Sequence, residues 1–261
     1  MIARSNAGLR RVRETPGALH RGGLGGLIPG WWVALLAVAL LAPGGCLLTA
    51  RAESSPPPRE EIEWLDVWVA GGGRMDLPRV LLIGDSITRG YHPNVEQALA
   101  GKALLGRLAT SKSLGDPALL DEVRLVLSQT RYDVVHVSNG LHGWDYSDKA
   151  YARELPRLIE AIRKGAPGAR IIWGTSTPIR LGGKPDLSPR NARVVIRNQI
   201  ATGLLARDGV PIDDLYGFLA DKPEFWSEDG VHLSPKGNAA LGRRVAEVLS
   251  PFLGSRPAMK R

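Results

Sequence analysis

Ser86 follows a continuous apolar run, Val80 to Ile83, and a two-residue break, Gly84-Asp85. A serine becomes a nucleophile only when a base takes its proton, and that base needs a third group to hold its tautomer. Asp229-Gly230-Val231-His232, near the other end of the chain, offers both partners in one short loop. The aspartate stands three residues before the histidine, and Gly230 permits a tight turn between them. Acyl transfer also calls for donors aimed at a developing oxyanion. The side-chain amide of Asn139 and the backbone N–H of Gly115 are candidates, since each lies in the segment after an apolar run. Every piece has an ordinary structural use as well. Gly-Asp-Ser is turn composition, Asn139 precedes Gly140 as turn asparagines do, and Gly115 stands alone.

Other residues compete for these roles. His136 lies inside an apolar run and reads as a packing histidine, and His92 follows the first turn and reads as a surface residue. His142 has Asp145 three residues on, so it rivals His232 as the base. A base must approach the serine from the side opposite the oxyanion donors. His142 is the near neighbour of Asn139, which assigns it instead to the mouth of the site, with Arg89 and Trp144, as a substrate contact. Trp144 and Trp226 would suit stacking on a sugar ring. Rival chemistries fit the letters poorly. Thr88 occupies the last position of Gly-x-Ser-x-Gly, and no Gly-rich loop leads into Lys-Ser or Lys-Thr. His142 and Asp145 lack a third ligand at convincing spacing, so no metal is expected.

The elements that must position these residues alternate regularly. Strands are expected at Arg79–Ile83, Leu104–Ala109, Asp133–Ser138, Arg170–Gly174 and Pro211–Leu215. Between and after them, helices are expected at Val95–Leu99, Ala118–Ser128, Asp148–Lys164 and Pro189–Asp208, with a last one running to Leu253. Ser147 caps the third helix, and Ser234 caps the last, with Pro235 at its first position. Strands alternating with helices in this way make a parallel sheet covered on both faces. Such sheets bind ligands outside the carboxyl ends of their strands, where Ser86 and Asn139 would both lie.

The net charge of +8 is concentrated at the start of the chain. Residues 1–52 hold six arginines and one acid, leaving 28 bases against 25 acids elsewhere. A nucleic-acid protein would carry its basic excess on the folded domain, so that class is excluded. Five arginines precede an uncharged stretch, Gly22 to Ala50, with an apolar core from Trp31 to Ala42 and a small-x-small site at Ala50-Arg51-Ala52. Residues 1–52 therefore read as an export signal, or as an N-terminal anchor if uncleaved, the one expected membrane contact. The single cysteine, Cys46, lies within it, so a protein cleaved there would have no thiol chemistry. Residues 53–78 read as a Ser/Pro linker and a strand-like flap with Ile62, Trp64 and Trp68 on one face, 79–254 as the catalytic domain, and 255–261 as a tail.

Taken together, Gly84-Asp85-Ser86-Ile87-Thr88, a glycine after the second strand, Asn139 after the third, and Asp229-x-x-His232 resemble the four sequence blocks of the GDSL, or SGNH, esterase/lipase family. The blocks span Arg79 to Leu253. Two of them depart from the family pattern: Val137-Ser138-Asn139-Gly140 replaces Gly-x-Asn-Asp, and Ser113-Leu114 precedes Gly115 where an asparagine is usual. The resemblance implies an α/β protein with a three-layer α/β/α, flavodoxin-like fold and a cofactor-free serine hydrolase. It implies Ser86 as nucleophile, His232 as base and Asp229 as its orienter. The Ser86 and Gly115 N–H groups and the Asn139 amide would form the oxyanion hole. The expected activity is an exported esterase removing a short acyl group, acetyl above all, from a small-molecule or glycan ester. An acyltransferase on the same triad and a non-catalytic glycan-binding domain are the alternatives.

Overall fold

The computed structural model describes residues 56–254, so the expected leader (1–52) and tail (255–261) lie outside the described residues. The elements run β1 (Leu65–Trp68), β2 (Arg79–Gly84), α1 (Ser86–Ala98), β3 (Leu104–Thr110), α2 (Pro117–Gln129) and β4 (Val134–Val137). They continue with α3 (Asp148–Gly165), β5 (Arg170–Gly174), α4 (Asn191–Arg207), β6 (Ile212–Asp213), α5 (Leu215–Ala220) and α6 (Pro235–Leu249). The sheet order is β1-β3-β2-β4-β5-β6. Strands β2 to β6 pair in parallel, with the flavodoxin-like 2-1-3-4-5 order. Only β1 is antiparallel, lying along β3 from Leu65 opposite Thr110 to Trp68 opposite Arg107. The sheet is therefore mixed at its edge, where a wholly parallel one was expected.

Side-chain alternation along β2 explains the three layers. Val80 and Leu82 face α1, α5 and α6, where Tyr91, Val95, Leu241 and Val245 are buried. Leu81 and Ile83 face α2, α3 and α4, where Val123, Leu158 and Ala201 are buried. A strand buried on both faces is apolar throughout, and all six residues of β2 are buried. No helix among the described residues is long and apolar enough to cross a membrane.

Two expectations need correction here. The first helix begins at Ser86 and contains Pro93, whereas the sequence had suggested a short helix from Val95. An interior proline costs about 3 kcal/mol. The Asp85 cap and the buried Ile87, Tyr91 and Val95, at four-residue spacing, outweigh it. The segment before β2 also differs: Ile62 and Trp68 are exposed rather than sharing a buried face, and four residues of the segment join the sheet.

Candidate active site

Ser86 is brought to its place by three backbone requirements. Gly84 ends β2 with no side chain, because a Cβ there would meet Thr88 Oγ1 at 2.1 Å. Asp85 leaves the strand in extended conformation and accepts the Ile87 N–H at 2.9 Å, capping α1. Ser86 then becomes the first residue of that helix, at the switch point where β3 and β4 leave β2 in opposite directions. Burial pushes the Asp85 carboxyl up, opposed by His142, by the backbone N–H groups of Ile87 and Thr88, and by His232.

His232 Nε2 lies 2.8 Å from Ser86 Oγ, and its Nδ1 lies 2.6 Å from Asp229 Oδ2. The other carboxylate oxygen, Oδ1, accepts the backbone N–H groups of Val231 and His232 and the Ser227 hydroxyl, each at 2.8 Å. Partial burial works against the charged form. The bonds from His232, Val231 and Ser227 outweigh it and hold the Asp229 carboxyl far below the usual range. An ionised carboxylate only accepts, so Nδ1 of His232 carries a hydrogen and Nε2 is the nitrogen turned to Ser86. Gly230 makes the turn at φ +72°, and a Cβ there would meet Arg180 O at 2.5 Å. That carbonyl belongs to a neighbouring loop which donates its own Arg180 N–H to Gly230 O at 2.8 Å. The base is thus held from its own loop and from the next.

The loop after β4 is tied to β2 at its start, where Ser138 donates its N–H to Ile83 O at 2.9 Å. Asn139 is buried, its Oδ1 accepting the Leu114 N–H at 3.0 Å and its Nδ2 donating to Lys112 O at 2.9 Å. The amide braces the loop after β3 through its oxygen and one of its two N–H groups. Gly115 has φ +114°, and the Tyr146 ring lies 2.6 Å from where its Cβ would be, so the glycine is needed for conformation and packing.

Arginines from α4 hold residues 140–146 from below. Buried Arg197 donates to the carbonyls of Gly140, His142 and Gly143 at 2.7–2.9 Å. Arg193 donates to those of Trp144 and Tyr146. His142 and Trp144 line a cleft of about 570 Å³ together with Glu60 and Arg190. Arg89, exposed one turn along α1 from Ser86, lies 4.8 Å over the Trp64 ring.

Several rivals fall away. His142 Nδ1 is engaged by Glu60 at 2.9 Å and not by Asp145, so the competing pair does not form. Trp226 is buried beneath Arg180, 4.7 Å over its ring, and is closed to a sugar. His92 is buried rather than on the surface, because α1 continues through it, and its Nδ1 meets Arg107 at 3.2 Å. His136 is the expected packing histidine, fully buried with Nε2 3.2 Å from Asp213. Among the described residues, no group of three His, Cys, Asp or Glu side chains could hold a metal. Sequence reasoning missed Glu60 and the two α4 arginines, whose partners are backbone groups or residues distant in the chain, and Ser227, whose partner Asp229 lies two residues on.

Residues 82–240 match the family model of the GDSL-like lipase/acylhydrolases. The fold is similar to that of a lipase/acylhydrolase from Enterococcus faecalis, at 20% identity and a TM-score of 0.57, covering 70% of this chain and all of that one. An acetyl xylan esterase aligns at 17% identity and 0.55, over 66% of this chain and 99% of its own. A carbohydrate acetylesterase from Sinorhizobium meliloti aligns at 16% and 0.55, over 67% and 100%. No curated protein matches the chain.

Proposed function

The chain belongs to the GDSL-like lipase/acylhydrolase family and is an esterase; we propose that it is an exported serine hydrolase removing acetyl groups from a carbohydrate, with Ser86, His232 and Asp229 as its triad. The observation that carries this is the unbroken line Asp229 Oδ2–His232 Nδ1 and His232 Nε2–Ser86 Oγ, 2.6 and 2.8 Å. His232 takes the Ser86 proton as Oγ adds to the ester carbon, and the carbonyl π pair moves onto oxygen. Asp229 stabilises the imidazolium without taking a proton. The intermediate collapses, the alcohol leaves with the proton from His232, and an acyl-serine remains. Water then repeats the sequence with His232 as base, releasing the acid and restoring Ser86. Oxyanion charge falls to the N–H groups of Ser86 and Gly115 and the second N–H of Asn139.

A short acyl group is favoured by the two acetylesterases among the similar folds. The carbohydrate is favoured by the polar cleft with Trp144 and His142, and by the two acetylesterases among the similar folds. Export rests on the leader, with residues 79–254 forming the hydrolase domain. The test is turnover of p-nitrophenyl acetate and of acetylated xylan, each with and without a free sugar acceptor. Acetate release unaffected by acceptor supports the hydrolase, an acyl-sugar product makes it a transferase, and no Ser86-dependent turnover refutes the reading. Intact mass of the exported protein should begin near Glu53.

A further inference from the structure

The cleft lined by His142 and Trp144 has one wall that the hydrolase fold does not supply. Residues Pro58 to Trp64 precede β1 and cross the loops after β3 and β4 as a strap. They lie outside residues 82–240, the part that places the chain in its family.

The strap is fastened along its length. Arg59 pairs with Asp116 at 2.7 Å, and Glu63 pairs with Lys112 at 2.6 Å and accepts the Ser111 hydroxyl at 2.5 Å. Trp64 donates its N–H to Ser111 Oγ at 3.0 Å. Asp116 and Lys112 are themselves buried, so these are built contacts rather than loose surface pairs.

Between those fastenings, Glu60 reaches into the site. Its Oε2 lies 2.9 Å from His142 Nδ1, and its Oε1 accepts the Gly143 N–H at 3.1 Å, both across more than 80 residues of chain. A carboxylate only accepts, so Glu60 fixes the His142 hydrogen on Nδ1 and turns the other ring nitrogen away from the strap. Among the described residues Nε2 of His142 has no partner, and Trp64 packs on the ring edge-on with centroids 6.2 Å apart. Leu141, the preceding residue, lines the same small cavity as Asp85. The 140–143 turn is thus clamped from below by Arg197 and from above by Glu60, and the free face of His142 borders the cleft.

Resting on the esterase reading above, we infer that Glu60 is a positioning residue for substrate: the strap completes the site, and Glu60 sets His142 to bind the alcohol half of the ester, a polyhydroxylated group such as a sugar. The chemistry at Ser86 does not pass through this pair.

Glu60→Gln removes the charge with little change of shape. It should raise KM for an acetylated xylo-oligosaccharide about 5- to 30-fold, as for one lost binding contact, with kcat within about threefold. Turnover of p-nitrophenyl acetate, whose aryl leaving group offers no hydroxyl to His142, should fall less than that of the glycan ester. His142→Ala should show the same split, and the double variant should be no worse than either single one, because the two act as a unit. The ¹⁵N spectrum of histidine-labelled protein should show His142 protonated on Nδ1, a signature altered in Glu60→Gln. Equal losses on both substrates, additive losses in the double variant, or an unaltered ring signature would overturn the inference. If the wild type cleaves p-nitrophenyl acetate but no acetylated glycan, the carbohydrate reading fails by itself. The clamp is then decided by the ring signature and by whether Glu60→Gln raises KM across aryl acetates of increasing alcohol size.

Discussion

His232 Nε2 stands 2.8 Å from Ser86 Oγ although 146 residues separate the two. Nothing in either tetrapeptide brings them together. The contact exists because β2 delivers Ser86 at its carboxyl end, and α6 packs against α1 so that the loop entering α6 overhangs the start of α1.

Ser86→Ala and His232→Ala should each lower kcat by about 10⁴-fold or more, since a triad acts as a unit. His142→Ala should leave kcat within about threefold, its loss falling on KM. A fluorophosphonate should label Ser86 and no other serine. A dead His142→Ala beside a near-normal His232→Ala would reverse the assignment of the base.

Asn139→Ala should lose about 10²–10³ in kcat, the usual effect of a missing oxyanion donor. It should also cost about 1–3 kcal/mol of stability, because the Leu114 N–H and Lys112 carbonyl lose their partners. Kinetics and thermal unfolding of the same variant separate the two roles. Lost stability with full activity would leave Asn139 as a brace only.

Gly230→Ala meets Arg180 O at 2.5 Å and sits at φ +72°. Strain of this kind costs about 1–3 kcal/mol. The larger effect should be kinetic, about a hundredfold in kcat/KM, because the loop that carries both Asp229 and His232 must shift. Unchanged kcat/KM would show that the loop absorbs the methyl group without moving the base.

Stability should fall on acidification because of His92. Burial, with Arg107 beside it, lowers its pKa from 6.5 to about 4, so the fold favours the neutral ring. Between those values the unfolded chain binds the extra proton, and unfolding free energy therefore rises with pH. The contribution is fully present above the unfolded value and is lost as pH falls from there towards 4. At pH 5 the loss should be at most about 2 kcal/mol, a drop of several degrees in Tm. His92→Gln should flatten the melting profile between pH 7.5 and 5. An equally steep profile in that variant would move the cause elsewhere.

Much of this was legible in the chain. The apolar run Val80–Ile83, the caps Ser147 and Ser234, and the strand Arg170–Gly174 depend on local composition and short-range hydrogen bonds, and they stand where those rules put them. The choice of Ser86, Asp229 and His232 as candidates was equally local, because an Asp-x-x-His loop and a serine after a buried strand are patterns of neighbours.

Tertiary structure decided the rest, for reasons of distance in the chain. Helix α1 runs through Pro93 because Tyr91 and Val95 find a sheet face to cover, a gain no window of residues displays. His92 became buried for the same reason, and Trp226 was closed off by Arg180 from another loop. Glu60 was unremarkable among the charged residues of a presumed flap until β1 paired with β3 and carried it to His142. A sequence determines which side chains could do chemistry; only packing decides which carboxylate each histidine meets.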